Sequence, residues 1–109
     1  MDLSDARMPT HLWVEGKIRE LSSQGIGVYV LNKGERMGGL LLLKLIDGSG
    51  QCQLLTQQRN LDGVLEWINA LKESVLGEAK ADEYIQRSID RDPDLWVIEI
   101  EGSENPFAV

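Results

Sequence analysis

The longest uninterrupted apolar run of the chain, Leu40 to Leu43, has the length of a strand and is far too short for a membrane span. The run continues through Lys44 to Ile46, and its apolar residues fall on both faces of an extended chain. Strands of this kind lie inside a sheet and are covered on both sides. The pattern therefore predicts a folded domain built around a central strand, without membrane interaction.

The chain is 109 residues long, which suits one domain with one hydrophobic core. We therefore predict a single domain over residues 1–109. Residues 1–9 are mostly polar and end in Pro9, so they are predicted to form a loose N-terminal arm. Residues 102–109 are predicted to form a polar tail.

The formal net charge is −7, with 11 Lys and Arg against 18 Asp and Glu. Proteins that bind duplex nucleic acid need a basic surface, so this balance argues against a nucleic-acid partner. Cys52 is the single cysteine and His11 the single histidine, which excludes an internal disulfide and a histidine-rich metal site. The N-terminus carries acids where a signal peptide carries positive charge. These features predict a cytoplasmic protein.

Periodicity and turn residues predict the secondary structure. Helices are expected over residues 10–23 and 81–91, because apolar residues recur there at helical spacing. Strands are expected over residues 26–32, 40–46, 51–57 and 95–101. The turn Asp47–Gly50 is typical of a hairpin. Residues 63–76 fit a helix by periodicity, and Val64 to Leu71 fit a strand equally.

These elements predict an α+β domain in the order α-β-β-β-β-α-β. We expect an antiparallel sheet of about five strands, with both helices packed on one face. The other face then carries apolar residues that two short helices cannot cover. A homodimer that buries this face is the simplest way to remove them from water.

The stretch Asp92–Glu101, with the sequence DPDLWVIEIE, resembles a family of short bacterial proteins that is classed as a domain of unknown function. The similarity extends to an early Trp13-Val14 pair and to Gly38-Gly39 before the run that ends at Lys44. Trp67, seventeen residues before Tyr84-Ile85, also matches. The resemblance covers about residues 11–101.

The segment around Trp67 departs from that family. In the family it carries more arginine and forms a strand, whereas here it is more apolar and more helical in pattern. The resemblance implies the fold of the family and no activity, cofactor or catalytic residue.

Paired carboxylates are the candidate catalytic groups. Asp92 and Asp94 flank Pro93, and Glu99 and Glu101 share one face of a predicted strand. Two carboxylates about 7 Å apart on such a face are able to chelate a cation or divide the roles of acid and base. The structural alternative is a helix-to-strand turn with side-chain hydrogen bonds at Asp92, and a solvated strand end at Glu99 and Glu101.

Lys44 is a charged residue within an apolar strand. It either pairs with Glu99 or Glu101, if the two strands are neighbours, or reaches solvent at the end of the sheet. The chain has no complete phosphate-binding glycine motif and no metal-ligand pattern, so no cofactor and no metal are expected.

The three tryptophans are the candidate binding residues, because tryptophan often anchors an interface. Trp13, Trp67 and Trp96 each lie within an apolar pattern, however, and we expect at least two of them in the core.

The sequence favours a non-enzymatic binding or interaction module with an unidentified protein partner. The alternative is a small enzyme that uses Asp92, Asp94 and Glu99 together with Lys44. The enzyme hypothesis requires a deep pocket with a strongly shifted carboxylate.

Overall fold

The computed structural model describes residues 8–108 of the chain. Within these described residues, two helices pack with a mixed sheet. The elements are α1 (Thr10–Ser23), β1 (Val28–Asn32), β2 (Leu41–Ile46), β3 (Gln51–Arg59), β4 (Leu65–Asn69), β5 (Leu76–Gly77), α2 (Glu78–Arg91) and β6 (Trp96–Glu101). The predicted N-terminal arm falls on residues 1–9, of which residues 1–7 lie outside the described residues.

The sheet has the strand order β1-β6-β2-β3-β4, and the short β5 pairs with the start of β3. Strands β2 and β6 are parallel, with Leu43 opposite Ile98, whereas the other pairs are antiparallel. The prediction of a purely antiparallel sheet is therefore wrong. The two strands are parallel because α2 carries the chain back to the end of the sheet at which β2 begins. Strand β6 then runs in the same direction as β2.

The helices lie on opposite faces of the sheet, so the prediction that both pack on one face is also wrong. Alternate residues of β2 divide between two apolar clusters. Leu43 belongs to the cluster that contains Val14 of α1, called the α1-side cluster below. Leu42 belongs to the cluster that contains Ile85 of α2. Both faces of the central strands are covered within the chain. Among residues 8–108, the central strands therefore leave no uncovered apolar face of the kind that motivated a face-to-face homodimer.

The segment that was ambiguous in sequence forms strand β4, which pairs with β3 so that Trp67 lies opposite Gln57. The pairing with β3 and the packing of Trp67 against the α1-side cluster therefore outweigh the helical periodicity of this segment. The helix over residues 10–23 is confirmed, and Gly25, with φ of +77°, follows its end. Helix α2 begins three residues earlier than predicted, at Glu78.

In the C-terminal segment that was predicted as a polar tail, Phe107 packs into the same cluster as Val14 of α1. Phe107 is 4% exposed. Its ring meets that of Trp13 edge-on at a centroid distance of 5.1 Å, and it lies 6.4 Å from the ring of Trp67. No helix among residues 8–108 is long and apolar enough to cross a membrane.

Candidate functional site

Lys44 occupies the α2-facing side of the central strand β2 and is 2% exposed. The parallel register places it directly opposite Glu99 of β6, and its Nζ lies 2.9 Å from the Glu99 Oε1. The sequence left open whether Lys44 pairs with a carboxylate or reaches solvent, and the structure shows pairing. Its strand partner is Glu99, and Glu101 instead contacts Tyr29.

Helix α2 supplies two further carboxylates to the same ammonium group. Glu78 and Asp82 are four residues apart and therefore share one face of the helix. Lys44 Nζ donates to Glu78 Oε2 at 2.7 Å and to Asp82 Oδ1 at 2.7 Å. The buried ammonium group of Lys44 thus links the first turns of α2 to strands β2 and β6.

The protonation state of Lys44 follows from these contacts. Burial alone lowers the pKa of a lysine, but the hydrogen bonds that Lys44 donates to Asp82, Glu78 and Glu99 outweigh it and raise the pKa of Lys44 above its usual value. An ammonium group whose protons are donated to three carboxylates has no free lone pair, so it serves neither as a nucleophile nor as a general base.

The predicted carboxylate cluster is divided between the two ends of β6. Asp92 ends α2, and its Oδ1 accepts a hydrogen bond from the backbone N–H of Asp94 at 3.1 Å. Glu99 lies five strand residues beyond Asp94, a separation of roughly 16 Å along an extended chain. Asp92 and Asp94 therefore do not act on the same atoms as Glu99 and Lys44.

Glu101 lies near the opposite end of β6 from Asp92. The Tyr29 hydroxyl donates to Glu101 Oε1 at 2.7 Å. This hydrogen bond, together with the negative charge of Glu101, raises the pKa of Tyr29. Glu99 and Glu101 are therefore engaged in side-chain contacts and do not form a free edge, since β6 is an interior strand.

A cavity of about 550 Å³ opens beside these carboxylates. It is lined by Ile46, Asp47, Gly48, Glu99, Glu101, Gly102 and Ser103. Among residues 8–108, no group of three or more His, Cys, Asp or Glu side chains is arranged to hold a metal ion. Lys44 occupies the centre of the place where Glu78, Asp82 and Glu99 converge.

The three tryptophans contribute to the interior. Trp96 is 2% exposed, and its Nε1–H donates to the Glu35 carbonyl oxygen at 2.7 Å. Trp13 and Trp67 are half-buried and pack against the α1-side cluster, where both meet Phe107. Their rings are therefore occupied by contacts within the chain.

Exposed apolar side chains occur on the edge strand β1 and also beside and on the opposite edge strand β4, where they include Val64 and Leu65. The consecutive β1 side chains Tyr29, Val30 and Leu31 are 50%, 41% and 43% exposed. Strand β1 pairs with β6 on one side only, and no described strand lies on its other side. A groove of about 390 Å³ separates this edge from α1 and is lined by Val14, Glu15, Ile18, Val30, Lys33 and Trp96.

Two of these features were not predicted from the sequence, namely the carboxylates of α2 at Lys44 and the exposed edge of β1. The spacing of Glu78 and Asp82 on one helix face was available as a signal for the partners of Lys44. The run around Val30, which is apolar on both faces, was visible as a strand, but nothing local marks it as an edge.

The chain matches a protein-family model described as "Protein of unknown function (DUF1491)" over residues 8–107. It is similar to the crystal structure of a DUF1491 family protein from Caulobacter crescentus CB15, with 30% identity and a TM-score of 0.82 over 94% of this chain and 95% of that chain. The NMR structure of a DUF1491 family protein from the same organism gives 30% identity and a TM-score of 0.76, over 90% and 88% of the chains.

The solution structure of protein Atu0922 from A. tumefaciens shares the fold, with a TM-score of 0.71 at 20% identity over 91% of this chain and 89% of that one. None of the curated proteins matches the chain in sequence. The resemblance inferred from the sequence, to a family of unknown function and about this length, is confirmed.

Proposed function

The chain belongs to the DUF1491 family of proteins of unknown function, and we propose that it is a non-enzymatic module that binds a protein partner through the edge of β1. The observation that carries the proposal is the exposure of three consecutive apolar side chains, Tyr29, Val30 and Leu31, on a strand at the end of the sheet.

Edge strands are usually protected, because their free N–H and C=O groups attract other strands. Protection takes the form of charged side chains, proline, bulges or a covering element. Residues 28–32 contain no charged residue and no proline. A bulge between Val30 and Asn32 is the only one of these devices found within the strand. An edge left in this state suits the addition of an extended segment from a partner.

The groove beside β1 supports the same proposal. Val14 and Ile18 of α1 and Val30 of β1 give it apolar walls. Glu15 and Lys33 add one charge of each sign. Protein-binding surfaces commonly combine an apolar centre with a polar rim of this kind.

The alternative of a small enzyme has less support. Lys44 is held as an ammonium by three carboxylates, and Asp92 is used in a turn at the far end of β6. The residues proposed for catalysis therefore do not face one common substrate position.

We propose a cytoplasmic location, without nucleic-acid or membrane partners. The net charge of −7 disfavours a polyanionic partner. The single cysteine, Cys52, is fully buried and free, as is usual in a reducing compartment.

Site-specific photo-crosslinking tests the proposed surface. A photoreactive phenylalanine derivative replaces Val30 in the full-length chain, produced in its native cells, and covalent adducts are identified by mass spectrometry. The matched control carries the same group at Leu61, an exposed apolar residue next to β4 at the opposite edge of the sheet.

The proposal predicts one dominant, identifiable protein adduct at position 30 that position 61 does not give. The absence of an adduct at position 30, or the same adducts at both positions, contradicts it.

A further inference from the structure

The segment that follows β6, residues 103–108, is anchored to the domain chiefly through one side chain. Phe107 is 4% exposed, whereas the residues at both ends of the segment are exposed. The Phe107 ring meets Trp13 of α1 at a centroid distance of 5.1 Å and Trp67 of β4 at 6.4 Å. It therefore occupies a cleft whose two aromatic walls come from different elements of the fold.

The hydrogen bonds of this segment stay within the segment. The Phe107 N–H donates to Asn105 Oδ1 at 2.8 Å. The last hydrogen bond to the sheet lies before the segment, where the Gly102 N–H donates to the Ile46 carbonyl oxygen at 2.8 Å. Among residues 8–108, no hydrogen bond joins the segment to another element. A segment with so few buried contacts opens more easily than the strands beside it.

The closed position of the segment is also imperfectly packed. Asn105 Nδ2 is buried and has no hydrogen-bond partner among the described residues, which carries a desolvation cost. A cavity of about 400 Å³ lies beside the segment, and its other walls include Leu21, Ile26 and Ile100. Gly102 joins the segment to β6 with φ of +156°, a conformation that residues with a side chain rarely adopt. A small residue at the end of an element is suited to act as a hinge.

We propose that residues 103–108 form a strap that closes the cleft between Trp13 and Trp67, and that the open cleft binds an aromatic side chain of a partner protein. Phe107 occupies the cleft in cis, so a partner binds only when the strap opens. The strap is independent of the proposed function, because neither tryptophan lines the groove beside β1. Two states that differ by a few anchoring contacts leave the minor, open state at about 0.1–10% of the molecules.

Fluorine NMR tests the strap in the wild-type chain, because Phe107 is the only phenylalanine. Labelling with 4-fluorophenylalanine therefore gives one ¹⁹F signal without a substitution. Saturation transfer is expected to detect exchange with an open state at urea concentrations well below the unfolding transition. Asn105→Ser keeps an oxygen acceptor for the Phe107 N–H and removes the unpartnered Nδ2, so it is expected to lower the open fraction about fivefold or more. Ser103→Ala, at an exposed position of the strap, is the matched control and is expected to leave it unchanged.

A peptide titration tests the cleft. Phe107→Ala removes the ring from the cleft, and the peptide EGSENPFAV, which has the sequence of residues 101–109, is expected to bind this variant and change its tryptophan fluorescence. The peptide EGSENPAAV is the matched control and is expected not to bind. In the wild-type chain the strap competes with the peptide, so binding of EGSENPFAV is expected to be about 10- to 1,000-fold weaker than in the variant.

Exchange of the Phe107 label that occurs only with global unfolding overturns the strap, as do equal open fractions in Asn105→Ser and the wild type. Failure of EGSENPFAV to bind folded Phe107→Ala, or equal binding of the two peptides, overturns the binding site. If Phe107→Ala does not fold, EGSENPFAV is titrated into the labelled wild-type chain instead. An increase in the open ¹⁹F signal supports the site, and an unchanged signal at millimolar peptide overturns it.

Discussion

Replacing Lys44 by Met tests the buried ion cluster at the join between α2 and the sheet. The substitution preserves most of the side-chain volume and removes the cation. Glu99 is 19% exposed, so it loses a charge-assisted hydrogen bond that water replaces poorly, at a cost of about 1.5–3 kcal/mol.

Glu78 and Asp82 contribute less. Their side chains are 49% and 54% exposed, so they are able to turn into solvent, and each contact with Lys44 stabilises the fold by less than about 1 kcal/mol. The sum predicts that Lys44→Met lowers the free energy of unfolding by roughly 3 kcal/mol at neutral pH. Urea denaturation followed by tryptophan fluorescence measures this loss.

A double-mutant cycle with Glu99→Gln isolates the principal contact. The predicted coupling energy between Lys44 and Glu99 is about 1–2 kcal/mol, and that between Lys44 and Asp82, measured with Asp82→Asn, is smaller. Because the pKa of Lys44 is raised in the folded state, its contribution is fully present below about pH 10 and is lost only as pH rises further. A Lys44→Met variant as stable as the wild type at neutral pH refutes the reasoning.

The remaining predictions concern the turns, the C-terminal segment and metal ions. Asp92→Ala removes the acceptor for the Asp94 N–H and is expected to destabilise the fold by about 1 kcal/mol; an unchanged urea midpoint removes this structural role. Phe107→Ala is expected to cost about 3 kcal/mol, because the ring fills the space between Trp13 and Trp67, and Phe107→Leu is expected to retain most of the stability; a loss below about 1 kcal/mol contradicts the packing. The pKa of Asp47 is lowered by hydrogen bonds from Ser49 and the Gln51 N–H. Its stabilising contribution is therefore present at neutral pH and declines as pH falls below about 4, and this acid-dependent part of the urea midpoint is expected to be absent in Asp47→Asn. Adding Mg²⁺ or Zn²⁺ is expected to leave the thermal unfolding midpoint of the wild type unchanged, and micromolar binding by calorimetry contradicts this prediction.

Local patterns were sufficient to predict most of the individual elements. The two helices and the strands around Leu43 and Ile98 follow from periodicity, turn residues and β-branched content. Asp92 in a helix-to-strand turn follows from Pro93, because proline ends the preceding helix.

Strand order and helix placement were not predictable from local patterns in the same way, because they depend on contacts between distant residues. The signal that was available is the apolar character of both faces of β2. Leu42 and Leu43 each require cover, and a helix on each face provides it. Placing both helices on one face contradicted that pattern.

The arrangement around Lys44 was predictable in part. Pairing with Glu99 required β2 and β6 to be neighbours, and the sequence favoured neither this option nor exposure to solvent. The contribution of Glu78 and Asp82 depends on α2 crossing the same face of the sheet. The edge position of Val30 was not predictable from local patterns for the same reason, since it depends on the strand order of the whole sheet.

The central claim, that the outer edge of β1 is the binding surface, is tested most directly by ¹⁵N–¹H NMR of the labelled chain titrated with the unlabelled protein that the crosslink at position 30 identifies. The account predicts that the amide signals of Val28 and Val30 shift during the titration, whereas those of Leu65 and Trp67 on the opposite edge strand β4 stay fixed. Signals of Val28 and Val30 that do not move, or larger shifts on β4, contradict the account.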